Sequence, residues 1–420
     1  MARSRVSHRP KAGILAALDI GGSKVCCLIA RVSDAGQINV IGIGYHESKG
    51  LKAGRIIDMD AASRAIGQAV QAAENMAGET IHTVTVSVSS VQTGSQLLRG
   101  EVSIPHGEVT ESDIRRTLAF ARDIEIPGQS ELIHAIPVGY SVDEQYGIID
   151  PRGLHGHKLQ TDIHAITLGT GTIQNLERCI NANHLSVEGF CADIYASALS
   201  CLVEDEIDLG CTIIDMGAAT TSIGVMLDGQ LVFADAVPVG GQHVTQDIAR
   251  GLTTPMNHAE RLKTLYGHAI RNARDESDLI EVPQIGEDDK SGGHVVPRSF
   301  LTGIIQPRLE ETFELVRARL EASGFSSTTG RRVVLTGGAC QLSGLRDIAA
   351  LMLDKQIRIA SPQHVTGLAE ATAGPAFSAA CGLLIYAAEH AHEYPDIAIP
   401  TAGGAGGIVS RVTQWLRENW

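Results

Sequence analysis

Residues 14–32 read ILAALDIGGSKVCCLIARV, and residues 210–230 read GCTIIDMGAATTSIGVMLDGQ. Each is an apolar run ending in Asp, then a turn of small residues, then a second apolar run. Short apolar runs bounded by turn residues read as buried strands, so each stretch predicts a β-hairpin, used twice in one chain. The turns are Gly21-Gly22-Ser23 and Gly217-Ala218-Ala219-Thr220-Thr221. Neither carries a large side chain that would hold an anion away from the backbone N–H groups. Ser23, Lys24, Thr220 and Thr221 add hydroxyls and one cation for phosphate oxygens. Asp19 and Asp215 end the first strands, and a carboxylate there suits a hydrated Mg2+, which keeps its waters and takes few protein ligands. One such hairpin is an ordinary turn. The pair predicts a phosphate site with Asp19 and Asp215 holding one metal, through water, from opposite sides.

A third glycine turn lies in RRVVLTGGACQLSGLRDIAALM (331–352): a strand over Val333 to Leu335, then Gly337-Gly338-Ala339, then a helix opening near Ser343 and Leu345. Alone it could be any strand-to-helix turn. The segment AERLKTLYG (259–267) predicts a helix with Glu260 and Lys263 on one face. That pair is either a surface ion pair or, beside three converging turns, a ribose and adenine contact.

Composition narrows the class. With 420 residues and 44% hydrophobic content the chain can bury several domain-sized cores, and its net charge of −14 argues against a nucleic-acid partner. No apolar run reaches the roughly 18 residues that cross a bilayer. The basic start MARSRVSHRPK precedes an apolar stretch broken by Asp19, so no secretory signal is expected and the chain is expected in the cytoplasm. The eight cysteines offer no C-x-x-C spacing and read as buried thiols.

In chain order come the first phosphate loop, ADIYASALSCL (192–202), the second phosphate loop, VPVGGQHVTQDIARGL (237–252), the third turn and SAACGLLIYAA (378–388). This order resembles the superfamily of actin, Hsp70 and sugar kinases, and within it the FtsA family of bacterial cell-division proteins. The resemblance implies an α/β, actin-like two-lobed fold with an inserted 1C-type subdomain and a C-terminal amphipathic helix. Subdomain 1A would take 14–88, 168–205 and 373–395; 1C, 89–167; 2A, 206–245 and 325–372; 2B, 246–324. It implies ATP with Mg2+, bound by the residues named above together with Gly240 and Gly241, and at most slow hydrolysis. Asp193 takes the place where relatives carry a water-positioning Glu or Gln; it could equally cap the helix that follows. Implied partners are a second copy in a filament, the C-terminal peptide of FtsZ at 2B near Arg261, Arg271 and Arg274, and other division proteins through 1C. A phosphotransferase of the same fold would need an acceptor pocket with a base, and the insertion shows no obvious one. A pilus-assembly scaffold of the same fold is the other alternative.

Within the insertion, TESDIRRTLAFARDI (110–124) predicts a helix capped by Thr110 with Asp113 in the reciprocal position. The acidic run QIGEDDKSGGH (284–294) reads as a solvated loop. The end of the sequence, GGIVSRVTQWLRENW (406–420), holds both tryptophans. On a helical wheel Ile408, Val409, Val412, Trp415, Leu416 and Trp420 fall within an arc of roughly 140°. Residues 396–407 form a proline- and glycine-rich linker that would leave this apolar face tethered and undocked. An amphipathic helix of this kind lies in a lipid interface, which the resemblance places on the inner face of the cell membrane at the septum.

Overall fold

The strands Gly13–Ile20 and Lys24–Val32 are buried along nearly their whole length. This is why they read as continuous apolar runs: both faces of the sheet are covered, so no polar alternation is needed. In the computed structural model, which describes residues 12–52, 54–123, 129–286, 294–326 and 330–390, these two strands form the predicted first hairpin, Asp19 opposite Cys26. The third strand Ile38–Glu47 pairs antiparallel with the hairpin, and Thr83–Val88 and Ser186–Ala192 add in parallel on its other side. A two-residue edge strand, Val365–Thr366, completes this sheet.

A second sheet repeats the plan. Cys211–Met216 and Thr221–Leu227 form the hairpin, Gln230–Val237 continues it antiparallel, and Arg332–Thr336 and Gln356–Ile359 follow in parallel. Each sheet anchors one lobe. Two helices pass between them, Asp193–Cys201 and Ser378–Ile385, lined with small residues. At their crossing a Cβ on Gly382 would lie 1.7 Å from the Ala196 carbonyl oxygen, so the backbones themselves are in contact.

The second lobe carries further helices: Gly241–Leu252, Met256–Tyr266 and the long Arg298–Ala322, which buries Leu309, Phe313 and Val316. A small hairpin, Leu279–Val282 with His294–Pro297, lies beside them. The acidic run 284–294 joins its strands, and residues 287–293 lie outside the described residues. Between Thr83–Val88 and Ser186–Ala192 the chain makes a separate antiparallel sheet in the order Thr93–Ser103, Lys158–Gly169, Ser130–Val142, Gln145–Ile148, with helix Glu111–Asp123 packed on it. That helix opens with the expected reciprocal cap: Thr110 N–H donates to Asp113 Oδ2 at 2.9 Å and Asp113 N–H to Thr110 Oγ1 at 3.4 Å.

None of the eight cysteines forms a disulfide, and all are buried. No helix among the described residues is long and apolar enough to cross a membrane. The linker and tail, including Ile408, Val409, Val412, Trp415, Leu416 and Trp420, lie outside the described residues.

Because Gly382 meets backbone rather than a yielding side chain, Gly382→Ala should lower stability by about 1–3 kcal/mol in urea unfolding, the usual effect of overpacking a core. Gly171→Ala, at a site with nothing within 4 Å of the added methyl, should change it little.

Candidate functional site

The two hairpin turns face each other across a cavity of about 850 Å³ between the lobes. They are built alike: Gly21 N–H donates to the Lys24 carbonyl at 3.0 Å, and Gly217 N–H to the Thr220 carbonyl at 2.9 Å. They also touch. A Cβ on Gly22 would lie 2.7 Å from that of Ala219, so a larger residue at either place would force the turns apart. The third turn closes on the second hairpin. Gly337 has φ 88°, and a Cβ there would stand 2.3 Å from Asp215 Oδ1. The amide of Gly241 donates to Gly217 O at 3.0 Å, which sets the start of helix Gly241–Leu252 against the second turn.

Three carboxylates, Asp19, Asp193 and Asp215, open onto this cavity and are otherwise enclosed by protein. Loss of solvation raises the pKa of each. Asp215 is pushed up to about 7, by burial first and then by the charge of Asp193. Serine hydroxyls oppose the shifts: Ser87 Oγ donates to Asp19 at 2.6 Å, Ser197 Oγ to Asp215 at 2.5 Å and Ser222 Oγ to Asp193 at 2.8 Å. Lys24 is the nearby cation, with its pKa lowered by burial, and its Nζ sits 3.2 Å above the centre of the Phe377 ring. One ammonium does not offset three carboxylates, and that residual field fits a divalent cation. No group of three His, Cys, Asp or Glu side chains among the described residues could hold a metal by itself. An ion here would therefore complete its shell with water and phosphate oxygens, the habit of Mg2+.

The sequence candidates converge with one exception. Gly21, Gly22, Ser23 and Lys24 line the cavity on one side, and Gly217, Ala218, Thr220, Gly240 and Gly241 on the other. Gly337, Gly338 and Ala339 line it beyond them, as do Glu260 and Lys263. The exception is Thr221, which begins a strand and is fully buried; its hydroxyl donates to the Val239 carbonyl at 2.8 Å and faces away from the cavity. Thr220 ends the turn and stays at the cavity, whereas Thr221 begins the strand and is taken into its hydrogen bonding.

Glu260 and Lys263 do form an ion pair, at 2.7 Å, but it is not a free surface pair. Lys263 Nζ also donates to Thr245 Oγ1 at 2.8 Å and to Gly241 O at 3.1 Å, which ties the pair to the wall of the cavity. Asp193 accepts from the N–H of Ile194 at 2.7 Å and of Ser90 at 3.1 Å, and from the Ser90 hydroxyl. It thus supports the start of its own helix while also facing the cavity. Ser87, Ser197, Ser222 and Phe377 escaped sequence reading. Their signal was faint: polar or aromatic residues inside small, apolar stretches. Arg261 is exposed on helix Met256–Tyr266, whereas Arg271, also exposed, and Arg274 come after that helix ends.

A sequence profile described as "Cell division protein FtsA" matches residues 212–382. A protein of Agrobacterium fabrum named "Cell division protein FtsA" is 43% identical over 97% of this chain and 95% of its own length. The chain belongs to the FtsA family. Its Escherichia coli relative of the same name is 31% identical, covering 97% of this chain and 98% of its own. A second profile, "SHS2 domain inserted in FTSA", matches residues 91–167, the separate antiparallel sheet. Among solved structures, a PilM-PilN type IV pilus biogenesis complex aligns at TM-score 0.64 with 16% identity, over 89% of this chain and 98% of the other. MreB5 of Spiroplasma citri bound to ADP aligns at 0.54 with 14% identity, over 89% and 96%. These two share the actin-like fold, and FtsA membership sets the pilus-assembly alternative aside.

The charge on Asp215 has a measurable consequence. Unfolded, its carboxyl titrates near 3.8; folded, near 7. Between those values the folded state holds the extra proton, so the carboxyl's favourable contribution is full below pH 4 and is lost as pH rises through 7. In the absence of nucleotide and metal, Asp215→Asn should therefore stabilise the protein at pH 8, by up to ~4 kcal/mol, and by much less at pH 4. Urea titrations at the two pH values measure the difference.

Proposed function

We propose that this protein is an ATP-binding, actin-like cell-division scaffold that polymerises and tethers FtsZ filaments to the inner face of the cell membrane at the septum. The observation that carries the reading is the convergence of three glycine turns and three enclosed carboxylates on one cavity between two lobes. The phosphates would lie between the two hairpin turns, where backbone N–H groups are reachable because Gly21, Gly22, Gly217 and Ala218 present so little side chain. Lys24 would leave the Phe377 ring to meet phosphate oxygens. Glu260 and Lys263 would hydrogen-bond the ribose, and Gly337, Gly338 and Ala339 would pass close under the adenosine. Mg2+, held through water by Asp19 and Asp215, would neutralise the phosphates. The MreB5 structure bound to ADP supports a nucleotide in this fold.

Asp193 already accepts from Ser90, Ser222 and Ile194, which leaves its carboxylate little capacity to orient an attacking water. That favours a clamp with at most slow hydrolysis over a fast ATPase. Nucleotide would hold 14–88, 168–205 and 373–395 against 206–372 and so fix the surfaces through which copies stack. Calorimetry should show Mg-ATP binding to the parent and a loss of at least about tenfold in Asp215→Ala, a single charge-assisted contact's worth, with cooperative unfolding retained. Unchanged affinity contradicts the reading.

The helix 408–420 would serve as the membrane anchor, weak singly and strong when many tails act together on one filament. The exposed Arg261 and Arg271, with Arg274, would supply charge for an acidic FtsZ tail. One co-sedimentation assay with liposomes and labelled FtsZ C-terminal peptide tests both. The full chain should carry peptide into the pellet, and a chain ending at Gly407 should leave both in solution. Charge reversal at all three arginines should pellet protein without peptide. Equal pelleting of the truncated chain removes the anchor, and retained peptide removes the arginines.

A further inference from the structure

The inserted sheet sits in the chain between two strands of the first lobe; Gln92 at its root bonds to Gly54 and Thr172 there, but other hydrogen bonds of the insert run to the second lobe. Ser89, which lines the cavity, has its Oγ 3.4 Å from Thr220 Oγ1 in the second phosphate turn. Ser90 is almost completely buried and gives both its N–H, at 3.1 Å, and its O–H to Asp193 Oδ1. The other oxygen of that carboxylate accepts from Ser222 of the second hairpin at 2.8 Å. Farther along the sheet, His164 Nδ1 lies 2.8 Å from the Leu231 carbonyl, an acceptor, so Nδ1 carries the proton. Its Nε2 must then accept from Ser95 Oγ, 2.8 Å away, and Ser95 in turn accepts from the Ala234 N–H at 3.2 Å. Both Leu231 and Ala234 belong to the second lobe's strand Gln230–Val237.

We infer that the inserted domain is a nucleotide-responsive arm, its position set from the phosphate end of the cavity through Ser90 and Asp193. The inference rests on the nucleotide reading above. A cation held through water by Asp19 and Asp215 would attract the neighbouring Asp193 carboxylate, which lines the same cavity. Any turn of Asp193 toward the cavity takes the acceptor away from Ser90, whose two donors are buried where no solvent replaces the lost partner. The root of the insert must then follow. Movement of Thr220 and Ser222 with the second lobe pulls on the same two serines. By linkage the coupling is reciprocal: a partner that fixes the insert alters nucleotide affinity.

Hydrogen exchange on the full chain, with and without Mg-ATP, and calorimetry on the same samples test this. In the parent, amides of Thr93–Ser103 and Lys158–Gly169 should change exchange rate on nucleotide binding by about fivefold or more, the lower end of ordinary site-to-site coupling. Ser90→Ala, compared with the parent at Mg-ATP concentrations that saturate each by calorimetry, should lose the change in the insert. Ser90→Cys, which keeps the shape and weakens the donor, should reduce it, and it carries the test if the alanine variant does not fold. A parent that binds Mg-ATP without any change in the insert overturns the inference. So does a variant that binds and retains the full change. Absence of any binding heat in the parent overturns the nucleotide reading itself, a different result from binding without transmission.

Discussion

The contact between two turns, Gly22 against Ala219, is the constraint on which the rest of the structure depends. Each turn follows a strand whose next-to-last residue is Asp, so bringing the turns together brings Asp19 and Asp215 together as well. Burial raises the pKa of Asp19, Asp193 and Asp215, and serine hydroxyls offset only part of the lost solvation. The lobes are held closely enough to enclose these charges by the helix crossing at Gly382 and Ala196, where a single methyl would intrude. A site preorganised in this way is poorly satisfied while empty, and an anion bearing its own divalent cation satisfies the backbone donors and the carboxylates together.

The same geometry explains why the duplicated sheets differ in what they carry. The first lobe spends the connection between Thr83–Val88 and Ser186–Ala192 on the inserted sheet, and the second spends the connection from Gln230–Val237 to Arg332–Thr336 on helices that include the Glu260–Lys263 wall. Each insertion begins beside the turn of the second hairpin, Ser89 in one case, Gly240 and Gly241 in the other. Ser89 at one root and Gly240 and Gly241 at the other therefore line the same cavity.

Much of this was legible in the sequence because it rests on local chemistry. Strand, Asp and small-residue turn fall together within one short stretch, 14–32 and again 210–230, and the reciprocal cap of Thr110 and Asp113 spans four positions. Thr221 does not line the cavity because the turn ends one residue before it, a boundary that composition does not mark. The serines that hold the three carboxylates come from positions 87, 90, 197 and 222, on segments that meet only after folding, and none has a spacing that marks it. The insert's attachment to the second lobe through His164 and Ser95 is likewise tertiary, since sequence order assigns the insert to the first lobe.

A crystal structure of the full chain grown with Mg2+ and a non-hydrolysable ATP analogue tests the central claim most directly. The account predicts phosphates between Gly21–Lys24 and Gly217–Thr220, with a hydrated cation facing Asp19 and Asp215 and the adenosine beside Gly337–Ala339. An empty cavity at saturating analogue, or a nucleotide bound elsewhere on the surface, would contradict it.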